Sequence, residues 1–232
     1  MGIGDVRYTV LEIVNEVQRK LGLTATLTLS TNALAVQLVD FVNDVVVDIS
    51  DFGNWQEMIV SAVITAVSGQ RDYSINTSAN VKNIGDIYFS TKTGPIRYLP
   101  IDRMRILTRT TSQGTPNQFT IFGTDSGGNP NLRFNPIPGA NEDGEMFSVV
   151  YYTQPQKYTT ADASARVPFP GDVVVMGTLA RATLNESGGT PTDKYQNFQS
   201  DYINMRKEAL NRFKGDTGWN TSFRPSIRGR RR

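Results

Sequence analysis

The string Gly123-Thr124-Asp125-Ser126-Gly127-Gly128 has the residue order of a serine-nucleophile loop. Such a serine needs an adjacent base to take its proton. The chain has no His and no Cys. The commonest general base, the commonest zinc ligand and every thiolate ligand or nucleophile are therefore missing. With Asn129 and Pro130 following, the same string is turn chemistry between two strands. Glu142, Asp143 and Glu145 lie close together, as the paired acids of a glycosidase would have to in a cleft. Their Gly- and Asn-rich surroundings read as a solvated loop. Gly2 and Gly4 follow no strand, so they form no phosphate loop. No cofactor and no metal is expected, and no catalytic residue is assigned.

Two other clusters carry chemistry of recognition. Asp40, Asp44 and Asp48 recur every four residues, which stacks them on one face of a helix. They are either a solvated face or an acidic wall lining a channel for DNA, where negative charge keeps a polyanion from adhering. A cation site has no EF-hand spacing to support it. The second cluster is the C-terminus. Trp219, Phe223 and Ile227 alternate there with Arg224, Arg228, Arg230, Arg231 and Arg232. Trp and Arg are favoured anchors at protein interfaces, and exposed aromatics cost solubility unless a partner buries them. A protein-docking tail is the preferred reading. Phosphate binding by the arginines and a plain solubilising end remain as alternatives.

Charge is divided to match. Residues 215–232 hold five Arg and one Asp, a net +4. The remaining body has 19 basic and 21 acidic residues, a net −2. No basic groove outside the tail is visible, which weighs against nucleic-acid binding by the body. The mean hydropathy of −0.33 suits a soluble domain, and no apolar run reaches the roughly 18 residues of a membrane span. The N-terminal residues lack a basic region followed by an apolar one, so no secretion signal is expected.

Hydrophobic periodicity says what must position these clusters. Residues 5–21 repeat apolar side chains at helical steps through Val6, Val10, Ile13, Val14, Val17 and Leu21, with Asp5 as N-cap and Gly22 as stop. A second helix is expected over 31–52, capped by Ser30 or Thr31. From 56 the pattern turns β-branched and aromatic, with strands expected at 58–67, 71–75, 84–90, 96–99, 117–123, 131–135 and 146–153. A short helix is expected at 100–109. Helical periodicity returns at Gly171, stops at Gly188-Gly189, and resumes from about Thr192 to Phe213 along Tyr195, Phe198, Tyr202, Met205 and Ala209. The expected fold is α+β. It has a helical bundle of about four helices from 1–55 and 171–214, an inserted antiparallel β-sandwich or barrel-like block at 56–170, and an extended tail at 215–232.

This order resembles the head-to-tail adaptor proteins of tailed bacteriophages. The resemblance rests on the helix–helix–β insert–helix–helix–tail arrangement and on the strand ending Phe134-Asn135-Pro136-Ile137-Pro138. It rests also on the strand Phe147–Pro155, on Val167-Pro168-Phe169-Pro170 leading into the third long helix, and on the aromatic-rich fourth. It implies a structural virion protein at the head–tail junction, assembled in the host cytoplasm. It implies a homo-oligomeric ring of twelve copies, a portal protein above it and a tail or nozzle protein below. Double-stranded DNA would pass through without sequence-specific binding, and no membrane is involved. The portal-docking role would fall on Trp219 to Arg232. A β-rich receptor- or carbohydrate-binding module is a further alternative, with Tyr151, Tyr152 and Tyr158 as stacking residues.

Overall fold

The computed structural model describes residues 7–30, 32–75, 80–107 and 112–216. The fold is α+β, and the chain divides into two compact units. One contains residues 1–53 and 157–232, and the other residues 54–156.

The first unit is helical. Its helices are α1 (Val10–Lys20) and α2 (Ala33–Phe52), followed after the second unit by α4 (Gly171–Glu186) and α5 (Asp193–Asp216). The helix expected from residue 5 begins at Val10, and Asp5 lies outside the described residues. Thr9 is the cap. Its hydroxyl accepts from the Glu12 N–H, and the Glu12 carboxylate accepts from the Thr9 N–H at 2.7 Å. Helix ends leave N–H groups without intrahelical partners. Here a later segment of the chain satisfies two of them. Val10 N–H donates to the Ala165 carbonyl and Leu11 N–H to that of Ala163. Likewise α2 is capped by Asn32, whose side chain accepts from the Leu34 N–H. Ser30 and Thr31 were the expected caps, but Thr31 lies outside the described residues.

Val10, Ile13, Val14 and Val17 are fully buried on α1, as are Leu38, Val42, Val45 and Ile49 on α2. The helix α4 packs on α1, α2 and α5 and is buried on most of its circumference. Its Gly171 has no room for a side chain, because a Cβ there would stand 2.4 Å from the Tyr8 ring. Residues 157–170 belong to this unit, whereas the sequence expectation grouped them with the β block. The cause is a side chain the periodicity passes over. Asn43 sits on the buried face of α2 and bonds the backbone of Tyr158 twice, donating to its carbonyl at 2.9 Å and accepting its N–H at 2.7 Å.

Among the described residues the second unit has seven strands and one short α-helix. The strands are β1 (Ile59–Thr65), β2 (Asp72–Ser74), β3 (Val81–Phe89), β4 (Arg97–Tyr98), β5 (Gln118–Thr124), β6 (Pro130–Asn135) and β7 (Met146–Thr153). The helix α3 (Ile101–Leu107) precedes β5. They form a three-stranded sheet ordered β1-β7-β3 and a four-stranded sheet ordered β2-β6-β5-β4. Every pair is antiparallel except β4 with β5, which is parallel over two residues. Alternation sends Phe147, Val149 and Tyr151 of β7 inward, where they meet Phe89, Tyr73, Phe119 and Phe134 in one core drawn from both sheets. The rings of Phe134 and Phe147 stack at 4.1 Å.

Candidate assembly interface

The carboxylates on α2 are not equivalent. Asp40 and Asp44 are exposed, and Val36 and Val47 are exposed on the same helix. Asp48 is drawn into contacts within the helical unit. It accepts from the Tyr202 hydroxyl and from the Arg206 guanidinium, both on α5. The guanidinium also lies 4.1 Å from the centre of the Phe52 ring and 5.1 Å from that of Tyr202. Only 14% of the Arg206 side chain is exposed. There is a physical need for this pairing. The last turn of α2 contains no basic residue, although a helix C-terminus favours positive charge. A cation from α5 stands where α2 has none of its own. Burial and the Asp48 carboxylate together push the Tyr202 hydroxyl well above its ordinary pKa.

The contacts from α2 to α5 advance together along both helices. Gly177 of α4 lies against Val45 and Tyr202, Asp48 meets Tyr202 and Arg206, and Gly53 lies against Leu210. The two helices therefore run in the same direction, and α5 ends beside the end of α2. A Cβ at Gly177 would stand 2.7 Å from Val45 and 2.8 Å from the Tyr202 ring, so the absent side chain sets how closely the three helices approach. The sequence puts Gly177 on one helical face with Val173, Val174, Met176, Ala180 and Leu184, but does not mark it as a point of close approach, and Asn43 was not singled out. An Asn between Val42 and Asp44, where the apolar stripe should continue, was the available signal for the second.

The sequence's chemical candidates resolve into turn and core structure. Asp125 is a turn residue. Its carboxylate accepts from the backbone N–H of Gly127 and Asn129 and from the Asn129 side chain, and those bonds hold its pKa below the usual carboxylate range. Of the acids near 142, Asp143 lies in the exposed turn expected of it, but Glu142 does not. Glu142 is buried, accepting from Gly139 N–H and the Thr115 hydroxyl, while Asp143 accepts from Ser68 N–H. Tyr151 and Tyr158 are each 3% exposed, so they cannot stack on a sugar. A wide groove of about 500 Å³ runs past Tyr8, Glu12, Asn15, Arg19 and Leu23. Its Glu12 is committed to the α1 cap, which lowers its pKa. Among the described residues no group of acids converges as metal ligands would, and no helix is long and apolar enough to cross a membrane. The tail residues Trp219, Phe223, Arg224, Ile227, Arg228, Arg230, Arg231 and Arg232 lie outside the described residues.

What this arrangement offers is surface: a helix face of acid and valine, a compact helical unit, and sheet edges on a separate β unit. That is the material of a structural assembly protein. Residues 8–226 match the SU10 adaptor protein family. The chain belongs to that family, a family of phage head-to-tail adaptors. Membership implies a structural protein of the virion that associates with portal and tail proteins at the head–tail junction. No curated protein matches the chain in sequence.

Proposed function

We propose that the chain forms a ring, of twelve copies, between the portal and the tail of the virion. The observation that carries this reading is the family match, which runs through both units and into the basic tail. In this reading the helical unit is the bundle that builds the ring, and the β unit is a sandwich-like block turned toward tail components. Residues 215–232 dock into the portal. Trp219, Phe223 and Ile227 fill apolar pockets, and Arg224, Arg228, Arg230, Arg231 and Arg232 pair with acidic or carbonyl groups. One such contact need not be strong, because copies held in a ring sum through effective concentration. Asp40 and Asp44 supply negative charge to the wall past which DNA slides. Asp48 contributes less there, since Arg206 neutralises it.

The test is co-sedimentation with the portal ring of the same phage, comparing the full chain with one ending at Lys214. The docking reading expects only the full chain to travel with the portal. Equal binding by both would move the joint to the helical body. Failure of both, with the full chain shifting DNA in a salt-dependent way, would favour the nucleic-acid alternative instead.

A further inference from the structure

The two edges of the sheet ordered β1-β7-β3 are built differently. β3 breaks register twice against β7, carries Lys82 and Asp86, and is bridged at Tyr88 by Pro95. Ile96 N–H also donates to the Ile87 carbonyl at 2.6 Å. β1 has no such protection. Its seven residues pair with β7 in unbroken register, from Ile59 opposite Tyr152 to Thr65 opposite Met146. No charged residue and no Pro occurs from Met58 to Gln70. Ala66 N–H donates to the Glu145 carbonyl, on the β7 side, at 2.7 Å. Antiparallel strands turn both backbone groups of a residue the same way and alternate along the chain. Ile64, Ala62 and Val60 therefore face β7, while Ser61, Val63 and Thr65 turn their N–H and C=O groups outward. Among the described residues no strand meets them there. Their side chains lie on the sheet face turned away from the core, because Ala62 and Ile64 between them pack against it. On that face Val63 is 63% exposed and Met146 of β7 is 55% exposed. Proteins normally blunt such edges with Lys, Pro or bulges, because a smooth one recruits another strand.

We infer that the β1 edge captures an extended, uncharged strand of a tail-side protein, matching the seven residues of β1. The inference rests on the adaptor reading above and names how one of its partners is held. Three observations single out this occupant. The first is that no edge strand of a second copy fits. β3 is blunted as described. β2 has three residues and carries Asp72, which Arg133 holds by two hydrogen bonds, and β4 has two residues. β1 against β1 would match in length, but that contact is two-fold, so it stops at two copies and cannot repeat around a ring. The second is charge. Pairing takes the neighbouring side chains out of water, and β1 offers no counter-ion to a charged one. The incoming strand therefore presents apolar, β-branched or hydroxyl side chains. The third is the division of partners. The family associates with portal and tail proteins, and the reading above gives the portal to residues 215–232. An added strand is held by main-chain hydrogen bonds and selected through its alternate side chains. Ser61, Val63 and Thr65 supply the bonds, and the exposed Val63 and Met146 supply apolar surface for the selection.

The test mixes portal rings carrying the full chain with the tail proteins of the same phage and sediments the complex. Val63→Pro removes one outward N–H and leaves the bonds to β7 in place, as edge strands allow. It should keep portal binding and lower tail-protein recruitment by about tenfold, the worth of about one main-chain bond. Val63→Thr keeps the donor and the β-branched shape, and should recruit as the wild type does. Val63→Lys keeps every backbone donor and charges the edge, so it serves should the Pro variant fail to fold. It should show the same loss with wild-type circular dichroism. p-Benzoylphenylalanine in place of Val63 then identifies the occupant, by irradiating the complex and sequencing the joined peptides by mass spectrometry. We expect an uncharged stretch of a tail protein. A joined peptide from the portal or from this chain itself, or none at all, would overturn the inference. So would full recruitment by both the Pro and Lys variants, or no recruitment by the wild type. In each of these cases intact portal binding leaves the adaptor reading standing. Should the wild-type chain fail to sediment with portal, the adaptor reading falls and this inference with it.

Discussion

At the scale of single residues, three positions in the helical unit test the packing argument. Gly177 lies where α2, α4 and α5 converge. Ala is the better helix former by about 1 kcal/mol, but the Tyr202 ring that it would strike is pinned by Asp48. Gly177→Ala should therefore destabilise, by about 1–2 kcal/mol net, as overpacking does. A urea titration would show it. Gln18 is fully buried on α1, and among the described residues neither its side-chain oxygen nor its nitrogen has a hydrogen-bond partner. Replacing it with Met keeps the volume and removes the unmet polar atoms. Gln18→Met should raise stability by about 1 kcal/mol. Tyr158 provides a pH signature. Burial pushes its pKa up to about 12, from the ordinary 10. A raised folded-state value means the neutral form is favoured by folding. Its contribution is present in full below pH 10 and is lost as pH rises through about 12. The denaturation midpoint should fall across that window, and Tyr158→Phe should flatten the fall.

At the scale of elements, the three carboxylates of α2 separate. The i, i+4 spacing makes them look alike in sequence, and only α5 distinguishes them. Removing Asp48 strands a guanidinium that is mostly buried. Asp48→Ala should cost about 1–2 kcal/mol, the range being held down by the partial exposure of the pair. Asp40→Ala and Asp44→Ala relieve like-charge repulsion on an exposed face and introduce a better helix former. Each should be neutral or stabilising by a few tenths of a kcal/mol. Thermal melts of the three variants side by side would expose the ranking, and equal effects would mean the Arg206 contact carries no weight. The same comparison marks where sequence reading stops. The apolar stripes of α1 and α2 were legible because their periodicity is local. Helix starts were off by one cap or by several residues, because the partners of the first N–H groups of α1 come from residues 163 and 165.

At the scale of the whole molecule, one polypeptide builds its helical unit from both ends and its β unit from the middle. The return point is fixed by Asn43 holding Tyr158, ten residues back along α2 from Gly53. At about 1.5 Å per helical residue that separation is about 15 Å. A flexible linker of eight or so Gly and Ser residues spans it. Replacing residues 54–156 with such a linker should leave a helical protein that unfolds cooperatively. A noncooperative melt would show that the helical unit depends on the insert.

The sequence by itself determined the order of elements, the strong helices and strands, the division of charge between body and tail, and the absence of His and Cys chemistry. Each is a matter of composition or of short-range period. Tertiary structure alone decided which carboxylate is paired, that Glu142, Tyr151 and Tyr158 are core rather than surface, and that 157–170 joins the helices. It also decided that β1 lies at an edge while β7 lies in the middle. Those outcomes depend on partners outside the local pattern, some more than a hundred residues away, such as Arg206 for Asp48 and Tyr158 for Asn43, and no short-range period carries that distance.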